Sequence, residues 1–324
     1  MPNILVTAIG SFSGDIVIKN LKKEGHYVIG CDIYPREWII DARNVDLFYQ
    51  APYVVEVEKY LQFINHICIT NDIDFVIPLT DPEVELLSKY KQRIESNGAI
   101  LCTSDYETIS LCRDKYKLPI FLAEHGIDNL INTYLLDEVD IKTIKYPIYA
   151  KPRSGRSSQG CMMINDEIDL KYLMKKKKNE EYIVQPYING KIITVDVVRD
   201  QSTGLVTSIP RRELLRNKSG AGLTVEIFNS DYLNNVCKKV SSILNIYGTI
   251  NIEFIEYNNR YYLLEINPRF SGGVEFSYIA GYNLIIQHLN CFRNIPIETL
   301  CNIHKMIISK KYEEYITWED KNDK

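Results

Sequence analysis

Short apolar runs alternate with amphipathic stretches from the start of the chain. ILVTAI (4–9) is strand-like, residues 14–24 carry helical spacing, and YVIGCD (27–32) is a second strand. This opening predicts a βαβ unit. A longer variable stretch (33–58) follows, then a helix near 58–71, the strand DFVIPL (74–79), a helix near 82–97 and the strand AILCT (99–103). The alternation predicts an open, mostly parallel sheet.

After Thr103 the pattern changes. A helix carries Cys112-Arg113-Asp114-Lys115, and YPIYAKPRSGRSSQGCMMI (146–164) reads as a β-hairpin with a long polar tip. The next helix (166–178) ends in Lys175 to Lys178, a solvated end favoured by the negative pole of the helix dipole. From Tyr182 longer elements return: YIVQPYI (182–188), ITVDVVRD (193–200), GLVTSIP (204–210), a helix near 230–245, and paired strands at 248–257 and 260–267. The last residues, through KKYEEYITWEDKNDK, are charged and predict a frayed tail. The fold class is α/β, turning to α+β in the C-terminal part.

Composition narrows the partners. The 324 residues are 45% hydrophobic and 25% charged, ordinary for a globular chain of this length. Net charge is −4, so no overall basic field draws the chain to nucleic acid or an anionic membrane, and small molecules are the expected partners. The apolar runs fall short of the roughly 20 residues of a bilayer span, and the N-terminus shows no secretory leader. A cytoplasmic setting is expected. Eight scattered cysteines form no Cys-x-x-Cys pair and five histidines are dispersed, which argues against structural zinc and for buried, reduced thiols.

Gly10 and Gly14 fall in the first strand-to-helix turn and Asp32 ends the second strand, where a dinucleotide-binding fold holds its ribose. The stretch Ala8 to Gly14 lacks the full G-x-G-x-x-G. The plainer reading is a tight turn with close helix packing, and an Asp32 that bonds locally.

The strongest local signal is GTINIEFIEY (248–257) followed by RYYLLEINPR (260–269). Strand alternation puts Ile250, Ile252 and Phe254 on one face and Asn251 and Glu253 on the other, while Tyr262, Leu264 and Ile266 oppose Glu265 and Asn267. Pairing apolar with apolar sets 252 against 266, 254 against 264, and Glu253 against Glu265. A two-residue turn at Asn258-Asn259 would break that register, so a three-residue or bulged connection including Arg260 is expected. Glu253, Glu265 and Asn267 then form an oxygen-only cluster of the kind Mg²⁺ prefers; the alternative is a solvent-facing hairpin with incidental acids.

The second signal is Lys151-Pro152-Arg153-Ser154-Gly155-Arg156-Ser157-Ser158-Gln159-Gly160. Its backbone amides and fixed charges suit a phosphate, although the order is not that of a Walker loop. Alone it reads equally as a surface hairpin tip.

In this order the elements resemble the ATP-grasp superfamily, in the branch of the carbamoyl-phosphate synthase large chain and related amino-acid ligases, over about residues 1 to 295. The motifs are Glu265-Ile266-Asn267-Pro268-Arg269 with Glu253 before it and Ser271-Gly272-Gly273 after it, Asp114-Lys115, Lys151 with its glycine loop, and VQPYINGKIITVDVVRD (184–200). The resemblance implies a Rossmann-like pre-ATP-grasp domain (1–112), a small lid lobe (113–183), a large lobe (184–300) and a C-terminal extension (301–324).

It further implies ATP and one or two Mg²⁺ ions as cofactors, with Glu253, Glu265 and Asn267 as metal ligands. Lys115, Lys151 and the loop residues Ser154, Gly155, Ser157, Ser158 and Gly160 would meet phosphates, with Ser157-Ser158 as the moving cover. Gln185-Pro186-Tyr187-Ile188 would read the adenine edge. Arg269 and Lys151 would be catalytic.

One departure stands out: Ile192 beside Lys191 occupies the place where many relatives carry a glutamate for the ribose. Arg211 and Arg212, and Ser271-Gly272-Gly273, are the candidate acyl-substrate residues; an arginine fork suits a carboxylate, and a surface pair is the other reading.

The expected activity is an ATP- and Mg²⁺-dependent carboxylate–amine or carboxylate–thiol ligase acting through an acyl phosphate, on small-molecule substrates. Dimers are common among such proteins. The alternatives are bicarbonate or carbamate phosphorylation like that of the synthase, a non-catalytic nucleotide-binding subunit, and a nicotinamide oxidoreductase built on residues 1–33.

Overall fold

The computed structural model describes residues 1–156, 158–177, 181–218, 220–300 and 303–319. Its first sheet is parallel. Strands β1 (Asn3–Thr7), β2 (Tyr27–Asp32), β3 (Leu47–Gln50), β4 (Phe75–Ile77) and β5 (Ile100–Leu101) lie in the order β3-β2-β1-β4-β5. Ile4, Leu5 and Val6 of the central strand are all fully buried, because helices cover both faces of the sheet. These helices are α1 (Gly14–Lys23), α2 (Val57–Thr70), α3 (Asp81–Lys89) and α4 (Lys91–Glu95), followed by α5 (Tyr106–Arg113). Strand β3 lies inside the stretch expected to be variable, and the helix expected over 82–97 is two helices separated at Tyr90.

The turn from β1 into α1 has no room for a side chain at Gly14: a Cβ there would sit 1.8 Å from the Ile9 carbonyl oxygen. The clash is with backbone, which cannot swing aside. Gly14→Ala is therefore expected to cost about 1–3 kcal/mol, seen as a lower urea midpoint at unchanged slope. Asp32 is occupied locally, accepting the Gly10 amide at 2.9 Å and the Tyr34 amide at 3.2 Å. These bonds account for Asp32 and Gly10 without a dinucleotide.

Helix α6 (Lys117–Glu124) leads to the second sheet, ordered β6-β9-β7-β8, from β6 (Tyr134–Leu135), β7 (Ile148–Pro152), β8 (Met162–Ile164) and β9 (Tyr182–Pro186). Hairpin β7–β8 pairs Ile148 with Ile164, and α7 (Glu167–Lys176) packs Leu170 and Leu173 beneath it. Among the hairpin-tip residues, Ser157 lies outside those described.

The third sheet has the order β14-β13-β10-β11-β12-β15. It comprises β10 (Lys191–Arg199), β11 (Val206–Arg216), β12 (Gly222–Ile227), β13 (Gly248–Tyr257), β14 (Arg260–Asn267) and β15 (Met306–Ser309). One face packs on α8 (Asp231–Ile243) through Ile193, Val195, Ile252, Phe254 and Leu263. Helices α9 (Val274–Ile279) and α10 (Leu284–Phe292) join the third sheet to the first: Ile4, Ile16, Val198, Phe276 and Leu284 belong to one core. Ahead of the charged end that is expected to fray, β15 pairs with β12 from Thr224↔Ser309 to Ile227↔Met306. Among the described residues no helix is long and apolar enough to cross a membrane.

The β13–β14 hairpin keeps part of the expected register and corrects the rest. Ile252 faces Ile266 and Glu253 faces Glu265, but Phe254 faces Leu263. Asn258 and Asn259 both take positive φ, 49° and 58°, and make a two-residue turn in place of the expected longer connection. The extra residue is absorbed by a bulge at Leu264. Leu263 therefore enters the core, while Leu264 faces the cleft beside Glu265.

Candidate active site

The second and third sheets face each other across a cleft of about 690 Å³, closed at one end by the β1–α1 and β4–α3 turns of the first sheet. Register across the third sheet arranges its floor in rows. Ile192 and Ile255 form an apolar row; next to it run Arg211, Thr194, Glu253 and Glu265; then come Asn251 and Asn267. The sequence folds this way because β10 and β13 alternate core-facing Ile193, Val195, Ile252 and Phe254 with these cleft-facing residues.

The carboxylates are balanced by different cations. Glu265 lies 3.8 Å from Lys115, and Glu253 is held by Arg216 at 3.2 Å. Burial pushes the Glu265 carboxyl up, but Lys115 and Lys151 outweigh it and leave it below its ordinary range. Burial likewise pushes Glu253 up; Arg216 opposes this, Glu265 adds to it, and Glu253 stays above its ordinary range. Asn267 Nδ2 reaches Asn251 Oδ1 at 3.2 Å and Glu265 Oε1 at 3.5 Å. The donors are all oxygen or carboxamide. Two carboxylates and one carboxamide make few protein ligands with modest anionic charge. That donor set fits Mg²⁺, which keeps waters and phosphates in its remaining positions.

Lys151, 3% exposed, reaches the cleft from β7, and burial lowers its ammonium below the ordinary lysine range against the pull of Glu265. Lys115 follows α5 and donates to the Gly155 carbonyl at 3.0 Å. The loop is thus tied over the lysine. Gly155 and Ser158 line the cleft; Ser154 and Gly160 do not, Ser154 being exposed and Gly160 accepting from the Tyr182 hydroxyl. Of the two loop arginines that could neutralise a phosphate, Arg153 forks Asp114 at 2.9 and 2.7 Å, while Arg156 lines the cleft. At the apolar end, Gln185, Pro186, Tyr187 and Ile188 line the wall with Ile131, Tyr149 and Ile192. The Tyr187 amide is already donated to Pro147.

The arginine pair does not act as a pair. Arg211 and Arg212 are neighbours within β11, and adjacent strand residues point to opposite faces. Arg211 enters the cleft wall and is bound to Asp196, Glu213 and Ser271. Arg212 lies on the other face, over Phe228, and pairs with Glu256 and Glu226; it does not line the cleft. Arg269 does line it, alongside Ser271, Gly272 and Gly273. Its guanidinium forks Asp81 at 2.9 and 2.9 Å and donates to the Phe270 carbonyl. Of its five N–H groups, three are so engaged. Asp81 is 4% exposed; burial pushes its carboxyl up, and Arg269 outweighs this and holds it below the ordinary range.

Sequence reasoning missed Asp81 and Glu213, and gave Arg216 no role. The Asp81–Arg269 contact joins residues 188 positions apart, and no local pattern reports it. Glu213 alternates with Arg211 on the cleft side of β11, a period-two signal that was present once the strand was known to extend past Pro210.

Three packed units, two of them clasping a cleft with a cationic loop above and a carboxylate hairpin below, define an ATP-grasp architecture. Family models agree. Residues 178–313 match the model "ATP-grasp in the biosynthetic pathway with Ter operon", and residues 4–102 match "PylC-like, N-terminal domain". Residues 178–313 thus carry an ATP-grasp domain.

Among curated proteins it is similar to the carbamoyl phosphate synthase large chain of Clostridium beijerinckii, 27% identical over 196 residues, which cover 55% of this chain and 18% of that one. The chain thus spans less than a fifth of that relative. Among solved structures it is similar to a biotin carboxylase from Campylobacter jejuni, with a TM-score of 0.78, 18% identity, and 92% of this chain and 72% of that one covered. It is also similar to an L-amino acid ligase from Bacillus licheniformis, with a TM-score of 0.72, 16% identity, and coverage of 90% and 74%. At these identities the structural likeness establishes the fold.

Proposed function

We propose that the protein is an ATP- and Mg²⁺-dependent ligase that activates a small carboxylic acid as an acyl phosphate and transfers the acyl group to an amine or thiol. The observation that carries this reading is Glu253 facing Glu265 across the β13–β14 register, with Lys115 and Lys151 on the opposite wall of the same cleft. The adenine would lie on Ile192, Ile255, Leu264 and Ile188, with edge contacts from groups neighbouring the already bonded Tyr187 amide. Residues 1–112, 113–183 and 184–300 act in this reading as base, lid and large lobe, with 301–324 as an extension.

Glu253, Glu265 and Asn267 would hold Mg²⁺, which supplies charge neutralisation at the phosphates. Lys115 and Lys151 would add fixed charge there, and such preorganised charge is the main protein contribution to phosphoryl transfer. In the first step a substrate carboxylate oxygen attacks the γ-phosphorus and ADP leaves. In the second the nucleophile attacks the acyl carbon, phosphate leaves, and the nucleophile gives up its proton. Arg269, steadied by Asp81, keeps two N–H groups for the phosphoryl or acyl oxygens. A covering loop over the cleft would keep water from the acyl phosphate.

The similarity to the carbamoyl phosphate synthase large chain favours a second reading, phosphorylation of bicarbonate or carbamate. An ADP-release assay over carboxylic acids paired with amines or thiols, with and without Mg²⁺, separates the two. The ligase reading expects ADP only with an acid and Mg²⁺, and coupled product only with the nucleophile; bicarbonate acting alone would select the second reading. Failure to bind nucleotide under any of these conditions would remove both.

A further inference from the structure

Glu253 and Glu265 face each other, yet their counter-charges come from different parts of the molecule. Glu265 is served by the lysines of the opposite wall. Among the described residues, the only ion-pair partner of Glu253 is Arg216, whose Nη2 lies 3.3 and 3.2 Å from the two carboxylate oxygens. Arg216 ends β11, opposite Gly222 of β12, beyond two register shifts that begin at Glu213. From there its side chain reaches Glu253 of β13, two places away in the strand order. Its Nε is donated to the Gly220 carbonyl at 2.6 Å, which ties the arginine to the β11–β12 turn. Arg216, Gly220, Ala221 and Gly222 all line the cleft, and the Arg216 side chain is 27% exposed against 14% for Glu253. The guanidinium therefore occupies the open side of one carboxylate of the candidate metal pair.

A divalent cation entering between Glu253 and Glu265 must compete with this guanidinium, because two cations on one buried carboxylate repel. A cation arriving with a polyphosphate meets no such opposition, since the displaced guanidinium gains an anion with which its planar donors can pair. We infer that Arg216 couples cation binding to nucleotide binding: it holds Glu253 when no cation is present and passes to the polyphosphate when the cation takes Glu253. This rests on the reading of the cleft as a Mg²⁺–ATP site. By linkage, the coupling must weaken the bare cation and strengthen the cation–nucleotide pair together.

Equilibrium dialysis of the full chain against Mn²⁺, with any nucleotide present on both sides of the membrane, measures both. It is run without nucleotide and then with a non-hydrolysable ATP analogue. In Arg216→Gln, Mn²⁺ alone should bind about tenfold more tightly and the Mn²⁺–analogue pair about tenfold more weakly than in the parent, within the usual range of site coupling. Arg216→Lys, with a point charge in place of the fork, should fall between. An ion pair with no part in cation or nucleotide binding would leave both affinities unchanged, and collapse of the turn would weaken both; either outcome overturns the coupling. Glu265→Gln serves as the control for the site itself. If the parent takes up no Mn²⁺ even with the analogue, or if Glu265→Gln binds as the parent does, the metal-site reading fails and the coupling falls with it.

Discussion

Glu265→Gln should reduce ADP formation on the order of 10²–10³-fold while leaving the thermal midpoint within a few degrees of the parent. The substitution keeps the shape of the side chain and removes one charge from a site whose electrostatics oppose one another. Lys115 at 3.8 Å and Lys151 lose an anion, which costs stability. Glu253 across the hairpin loses a like-charged neighbour, which restores some. The net effect on folding is small, and the effect on a bound cation and its phosphates is not. Glu253→Gln differs in kind, because it leaves the Arg216 guanidinium without its carboxylate in a partly buried position. Steady-state ADP release and a thermal melt on the same preparations check both parts. Retention of activity within a few-fold in Glu265→Gln would detach the hairpin from the chemistry.

How much of this site could be read from residues alone depends on which physical rule governed each one. Glu253 opposite Glu265 was legible because burial of Ile252 and Ile266 fixes the register on that part of the hairpin. The turn was misread because the pattern reports only that one residue must be accommodated, and not where. Consecutive asparagines tolerate the left-handed conformation a two-residue turn needs, so the irregularity moved to Leu264, where it turns an apolar side chain into the cleft. The arginine pair is not legible because GLVTSIP reads as a strand ending at Pro210; β11 runs to Arg216, and alternation then separates Arg211 from Arg212. Strand β3 and strand β15 are short edge strands whose pairing is set by neighbours distant in the chain. The parallel sheet was legible throughout its central strands, where burial on both faces produces unbroken apolar runs.

The placement of Arg269 shows how the first sheet takes part in the site. Asp81 opens α3 at the end of the β4 turn and forks Arg269, which follows β14. One ion pair therefore spans the unit that closes the cleft and the unit that carries its floor, and the same carboxylate lies 3.5 Å from Arg113 at the end of α5. The cleft wall is set by long-range electrostatics as much as by the strand register, which is why the NPR motif alone could not report where its arginine points.

Arg211→Met should cost about 3–5 kcal/mol of folding stability, more than any single change at the carboxylate hairpin. The Arg211 side chain is 3% exposed and donates to Asp196 at 2.6 Å, Glu213 at 3.1 Å and Ser271 at 3.0 Å. Asp196 is fully buried and Glu213 has a side-chain exposure of 3%. Each has one oxygen, Asp196 Oδ1 and Glu213 Oε2, that no donor reaches. The guanidinium is thus the charge that keeps two carboxylates in the protein interior, and its removal leaves both uncompensated. The same accounting explains why Arg211 is a poor candidate for direct capture of a substrate carboxylate: turning toward an external anion would strand Asp196 and Glu213. Chemical denaturation of Arg211→Met beside the triple variant R211M/D196N/E213Q distinguishes a charge network from simple packing. If charge is the cause, neutralising the acids should recover most of the loss, because a buried ionic cluster is costly mainly when half of it remains. A loss that persists undiminished in the triple variant would assign Arg211 to packing against Phe276, whose ring lies 5.9 Å from the guanidinium carbon, and would return the arginine to the set of side chains free to meet substrate.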